Sequence, residues 1–476
     1  MENDSQYAMV PRGVQAGAFV ATRRLIFLYF ILWVLEGALR KWVMPSLSMP
    51  LLVIRDPVVL GIYFFAVRAQ IFPVNSWTNV LFALAFLIGI QAAIHMASGS
   101  VTWDVALYGI RCFVLHLPLI WVIPAVFGRK EMITLGKWVL YLSLPMALLM
   151  LLQFKQGSDH WLNAATLKGG AQISSGIEGK IRPAGLFSFI TGPIHFYTLC
   201  AAFAIGGFLS KGVFPRWLSI MGLAGTLIAM SVSASRGLVL GCVVVGIFGA
   251  FAAFRSGRAM GAAVVFGIAV VGLGGLISQS SAVREGIFAF QTRWSWEDDG
   301  QGSGQRAAVG RFGGGFISAF QWAGIVPLMG EGVGSGTNLA GSLVGRKDSP
   351  VEGEWERVIW ELGPITGFLY LTWRSALSIS LVAFGIKKLK VGNFVCLPLS
   401  AACFIDVLSG FTKQPTSLGH IAMCAGFTLA AARAFSTETA PALALERQPE
   451  LALLAKPRLR VRGRGPFSVG GNSNRL

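Results

Sequence analysis

RGLVLGCVVVGIFGAFAAFR, residues 236–255, sets eighteen uncharged residues between two arginines. At 1.5 Å per residue such a helix is about 27 Å long, close to the ~30 Å hydrocarbon thickness of a bilayer. Runs of this kind, not alternating stretches of ten, recur along the chain and predict membrane-spanning helices rather than the strands of a barrel. The first, from Leu25, passes into LEGALRKW (35–42) without a small-residue cleavage pattern, so it reads as a retained helix and not a signal peptide.

The rest of the composition agrees. Of 476 residues 54% are hydrophobic and only 13% charged, against roughly a quarter charged in soluble domains. A single soluble core also stops growing near 250–300 residues. In hydrocarbon each backbone N–H and C=O must be paired within the protein, which selects helices here.

Hydropathy windows predict an all-α polytopic bundle of about twelve spans near 22–43, 50–67, 79–97, 104–127, 132–153, 185–209, 217–234, 237–254, 259–278, 356–385, 392–410 and 418–434. One alternating set of loops is short and basic: Arg23 and Arg24, Arg68, Arg129 and Lys130, Lys211 and Arg216, Arg255 and Arg258, then Lys387, Lys388 and Lys390. That set is expected to be cytoplasmic, with both termini, in a bacterial inner membrane. The expected organisation is a cytoplasmic N-terminus (1–21), spans one to nine (22–278), a long periplasmic loop between spans nine and ten (279–355), spans ten to twelve (356–435) and a basic tail (436–476).

Residues 279–361 hold ten of the 22 acidic residues and no histidine. Loops beyond about 12–15 residues are uncommon unless functional or disordered. Within this one, FISAFQWAGIVPLM (316–329) is apolar but too short to span, and is expected to lie in the interface. The tail, with Lys456, Arg458, Arg460, Arg462 and Arg464, is expected to be disordered and to meet anionic lipid. The net charge of +18 therefore reflects topology and this tail, and gives no reason to expect nucleic acid as a partner.

The six cysteines lie in apolar segments without C-x-x-C spacing, and the five histidines are scattered. Neither a metal site nor a cofactor is expected. No P-loop or dinucleotide fingerprint occurs.

Charges near helix ends carry more information, because each is costly in lipid and requires a partner or a task. GKIRPAGLFSFITGPIHFY (179–197) brings Arg182 to the start of a span, and SVSASRGLVLG (231–241) sets Arg236 in a tight turn. Either arginine could instead be an interfacial anchor. In PVEGEWERVIWELGPITG (350–367), Glu352, Glu354, Glu356, Arg357 and Glu361 crowd a helix start, where the dipole favours carboxylates anyway, and Glu361 is spaced to pair with Arg357. Glu36 with Arg40, Arg55 with Asp56, Arg111 and Asp406 are expected to serve helix pairing or interfacial anchoring. Guanidinium groups bind a diphosphate bidentately, and a nearby carboxylate can take a proton from a sugar hydroxyl. Together they suit transfer of a glycan from a lipid diphosphate.

At these clusters the chain resembles the O-antigen ligase and O-antigen polymerase family of bacterial polysaccharide enzymes. RPAGLF matches its Arg–x–x–Gly–aromatic segment, SASRGLVLG its Ser–Arg–Gly turn, RFGGGFISAFQWAGIVPLMGEGVGSG (311–336) its arginine, apolar helix and glycine-rich run, and ELGPITG its closing glutamate motif. The resemblance covers roughly 180–375. It implies Arg182 and Arg236 as diphosphate-binding residues, Arg236 also contributing to catalysis. Ligases of the family carry a histidine shortly before the closing glutamate, where this chain has Glu352, which favours a polymerase with Glu352 as base. Arg306, Arg311, Arg357 and Glu361 complete the expected substrate-binding set. The expected partners are a polyprenyl-diphosphate-linked oligosaccharide, membrane lipid and other polysaccharide-assembly proteins. A ligase acting on a lipid or protein acceptor, and a transporter, are the alternatives.

Overall fold

The computed structural model describes residues 14–166, 175, 179–210, 212–257, 281–295, 314–337, 340, 351 and 353–435. These are all-helical, with no strands. In chain order the helices are α1 (Val14–Ala38), α2 (Asp56–Arg68), α3 (Ser76–Ala97), α4 (Trp103–Ile110), α5 (Leu119–Val126), α6 (Arg129–Lys155), α7 (Thr191–Leu209), α8 (Arg216–Val232), α9 (Arg236–Arg255), α10 (Ser281–Ser295), α11 (Gly315–Ala323), α12 (Glu354–Leu389), α13 (Cys396–Ser409) and α14 (Pro415–Ala434). Among the described residues seven helices are long and apolar enough to cross a membrane, or eight if Trp103–Leu115 and Leu119–Val126 form one span bent by 44°. α8 and α13 are apolar but shorter. The expected span 259–278 and the tail 436–476 lie outside the described residues.

Large apolar side chains cover the outer faces. Phe86 on α3 is 70% exposed and Phe254 on α9 is 74% exposed, with Val243, Ile247 and Phe251 continuing the α9 stripe. In water such patches would drive association; facing acyl chains they are at rest.

At the centre stands α7, most of whose residues are buried. It packs on α6, α8, α9 and α13. Small residues permit the approach, as van der Waals packing in lipid requires. In α9 the glycines of the opening stretch face α7 in order: Gly237 meets Ile194, Gly241 meets Thr198 and Gly249 meets Ile205. The two helices therefore run parallel, N-terminal ends together. A Cβ at Gly249 would lie 2.6 Å from Ile205 Cγ2.

Two predicted spans are interrupted. The one at 104–127 turns through a π-helical segment at Arg111–Leu115 and bends before α5, where Pro118 has no N–H to continue the ladder. The helix beginning at Glu354 breaks at Gly363 (φ 70°), followed by Pro364. Hydropathy averages over both breaks. The FISAFQWAGIVPLM stretch is helical only up to Ala323, with Phe316, Ile317 and Phe320 exposed; Phe316 also packs on Trp355 and Phe320 on Phe368 of α12.

Candidate functional site

The RPAGLF segment docks on the C-terminal end of α1. Gly37 makes room: a Cβ there would meet the Phe187 and Ser188 backbone at 2.2 Å. Gly185, at φ 59°, has both peptide groups held by the Gln153 amide, whose Oε1 accepts from Gly185 N (2.7 Å) and whose Nε2 donates to Gly185 O (3.2 Å). Lys41 Nζ donates to the same carbonyl at 2.6 Å, and Arg40 Nη1 donates to Ser188 Oγ at 3.2 Å. Thus the motif's glycine is required by an unusual backbone angle, and its peptide meets a buried cation.

Arg40 and Lys41 belong to a larger buried network. Arg40 Nη1 and Arg55 Nε both reach Glu36, at 3.5 and 3.1 Å. Arg55 Nη1 donates to Tyr29 Oη (3.3 Å), Tyr29 lies 2.7 Å from His116 Nδ1, and His116 Nε2 lies 3.0 Å from Asp56 Oδ1. Arg111 Nε donates to Asp56 Oδ2 at 2.5 Å. One proton order satisfies the whole chain: Arg55 donates to Tyr29, Tyr29 to His116, and His116 to Asp56. It leaves His116 neutral. Charges that look like separate pairs in sequence are therefore one assembly joining α1, α2 and the π-helical turn after α4.

Beside it, the glycine-rich run PLMGEGVGSG (327–336) is threaded against broken α12. The break frees carbonyls, and two of them find donors from elsewhere in the fold: Glu331 N donates to Trp360 O (2.8 Å) and Gln91 Nε2 to Leu362 O (3.0 Å). Irregular backbone at membrane depth is tolerated on this condition. Alternate glycines meet neighbouring helices: Gly330 abuts the Glu361 carbonyl, Gly332 meets Val101, Gly334 meets the Val105 carbonyl, and Gly336 meets Glu361 and Arg357. Glu361 Oε2 accepts from Gly334 N (2.7 Å) and Oε1 from Gly336 N (3.2 Å) and Arg357 Nη1 (2.8 Å). Glu361 thereby clamps the run to α12. Replacing Glu361 with Gln presents an amide N–H₂ where an acceptor is needed, a cost of about 1–3 kcal/mol. We expect faster hydrogen–deuterium exchange across 331–337 in this variant, and unchanged exchange would remove the clamp role.

Arg357 is fully buried and donates to Glu354 through Nε (3.0 Å) and Nη2 (2.9 Å), and to Thr412 Oγ1 (2.7 Å). Arg374 Nη1 also reaches Glu354 (3.0 Å), while its other nitrogens cap the end of α13 at the Asp406, Val407 and Gly410 carbonyls. Beside this cap, His195 Nδ1 lies 3.1 Å and His420 Nε2 3.3 Å from Asp406 Oδ2. The histidines, scattered in sequence, are thus partly gathered in space, and these three offer ligand atoms within 4.8 Å of one another. The two imidazole rings stack at 4.7 Å with only 15° between planes, and His420 Nε2 also lies 3.3 Å from the Ala402 carbonyl.

The expected site residues fall as follows. Arg182 is half-buried in the lead-in to α7, and Arg236 is half-buried as the first residue of α9, whose N-cap is Ser235. Because α7 and α9 are parallel, both arginines lie at the same end of that pair. Arg357 and Glu361 are brought together at 2.8 Å, but inside the fold, with their hydrogen-bonding capacity directed at protein groups. Arg306, Arg311 and Glu352 lie outside the described residues. Arg374, Gln91 and the Tyr29–His116 link were not singled out beforehand. An isolated charge or amide in an apolar run was the available signal, and it does not name its partner. No protein-family model and no curated protein matches this chain.

Proposed function

We propose that the chain is a membrane glycosyltransferase that polymerises polyprenyl-diphosphate-linked repeat units of an exopolysaccharide or O-antigen. In this reading it has twelve spans in a bacterial inner membrane, both termini are cytoplasmic, and the loop 279–355 is periplasmic. Arg182, Arg236 and Arg311 neutralise the diphosphate leaving group, and Glu352 takes the proton of the acceptor hydroxyl. Holding both substrates in one cavity supplies much of the rate. The observation that favours the reading is the placement of Arg182 and Arg236 at one end of the parallel α7–α9 pair, with the Arg182 segment docked on Lys41 and Arg40. That end is cationic and built from broken helices, which suits a phosphate group approaching from the membrane surface. Arg357 and Glu361 hold the scaffold in this account rather than the substrate.

The test is product length. Arg236→Ala is expected to abolish long-chain polymer while the protein still reaches the membrane. Normal chain length in that variant would remove its assigned role. Purified protein given a lipid-linked repeat unit, without nucleotide sugar, is expected to extend it.

A further inference from the structure

Two buried charged networks occupy this end of the bundle, and they differ in balance. The one around Glu354 sets Arg357 and Arg374 against Glu354 and Glu361. The one joining the end of α1, the start of α2 and the π-helical turn after α4 sets Arg40, Arg55 and Arg111 against only Glu36 and Asp56. His116 is satisfied on both ring nitrogens as a neutral donor and acceptor, so it adds no charge. An excess of positive charge at such depth is expensive unless an anion supplies the difference.

The unpaired atoms say where. Arg111 is held by Asp56 through Nε, yet both terminal nitrogens, Nη1 and Nη2, are buried with no hydrogen-bond partner, as is Arg55 Nη2. A guanidinium fixed at Nε with its terminal fork open is the arrangement that receives two oxygens of one oxyanion. Tyr108 stacks near its face, 5.2 Å from Cζ, which leaves the edge for the ligand. Arg111 opens a π-helical turn, and Arg40 and Lys41 lie in a second one. Such turns are frequent at functional sites.

We propose that Arg111, with Arg55, forms a second oxyanion site that takes a phosphate-class anion, distinct from the Arg182 and Arg236 positions. A negative ligand offsets the cationic excess, and a phosphate monoester or diphosphate presents oxygens spaced for the fork. The anion site rests on the charges and the unpaired nitrogens alone. Its use rests on the proposed function: polymerisation joins two carrier-linked glycans, so two diphosphate groups must be held at once, whereas transfer to a non-phosphorylated acceptor needs one.

The test is binding stoichiometry on the purified full chain in detergent, using inorganic pyrophosphate and farnesyl diphosphate as probes. Wild type is expected to bind two farnesyl diphosphates, and Arg111→Lys, which keeps the charge but loses the fork, to weaken one of them by about tenfold or more. If that variant does not fold, Arg55→Lys carries the same reading. Pyrophosphate competing at the Arg111 site identifies the phosphate group as what is recognised; binding of the lipid alone points to the chain instead and overturns the assignment. Absence of binding to wild type, or affinity unchanged in both arginine variants, also overturns it. In Arg236→Ala the Arg111 site is expected to persist. Should Arg236→Ala leave both sites intact while Arg111→Lys removes one, the proposed function fails and this site stands.

Discussion

Replacing Glu354 with Ala is expected to cost about 3–5 kcal/mol and to leave little folded protein, because it strips the counter-charge from two buried arginines at once. Glu354 accepts from Arg357 Nε and Nη2, from Arg374 Nη1, and from the Thr412 amide (3.1 Å) and hydroxyl (2.7 Å). It therefore joins both halves of broken α12 to the turn between α13 and α14. With the carboxylate gone, Arg374 retains its backbone carbonyls and Arg357 retains Glu361, but neither arrangement neutralises both charges. Thermal unfolding in detergent, with monodispersity as the companion readout, measures the loss. The paired change Glu354→Met with Arg357→Met is expected to recover part of it, since the network then keeps one charge of each sign, Arg374 and Glu361, instead of two arginines against one carboxylate. A single variant within about 1 kcal/mol of wild type would show that water reaches this network, since exposed pairs contribute no more than that.

Gly363→Ala is the second large effect, and its origin is backbone rather than charge. At φ 70° a side chain costs about 1–2 kcal/mol in the left-handed region. The added Cβ would also lie 2.1 Å from Leu328 O and 2.7 Å from Gly330 N, both backbone atoms that cannot swing aside. Relief requires the glycine-rich run to back away, with loss of the Glu331–Trp360 hydrogen bond and of the Glu361 clamp. We expect several degrees of lowered melting temperature and protease cleavage near 324–337. The control is Gly246→Ala on α9, where a Cβ meets nothing within 4 Å and helix propensity favours Ala. That variant is expected to match wild type or exceed it slightly, so equal behaviour of the two would refute the close-packing account.

Both predictions turn on features that a hydropathy profile cannot see. The stretch 356–385 reads as one span, and Gly363–Pro364 inside it is compatible with either a mild kink or a true break. Only the partners decide: Gln91 and Glu331 arrive to take the carbonyls that the break exposes. Likewise ELGPITG and PLMGEGVGSG can each be read as glycine-rich motifs, but the sequence does not say that alternate glycines of one lie against the glutamate and glycine of the other. Charges followed the same pattern. Glu36 with Arg40 was legible from helical spacing, whereas the link through Tyr29 and His116 to Asp56 and Arg111 spans residues 29 to 116.

Composition and run length by themselves determined that this is a helical membrane protein, because hydrocarbon accepts a backbone only when its hydrogen bonds are closed locally, and a helix closes them within a few residues. The tertiary structure alone decided which buried charges share a network, which of them cancel, and which nitrogens are left over. Those outcomes depend on distances between helices that are remote in the chain, and the burial that makes an unmatched charge costly exists only once the helices have packed.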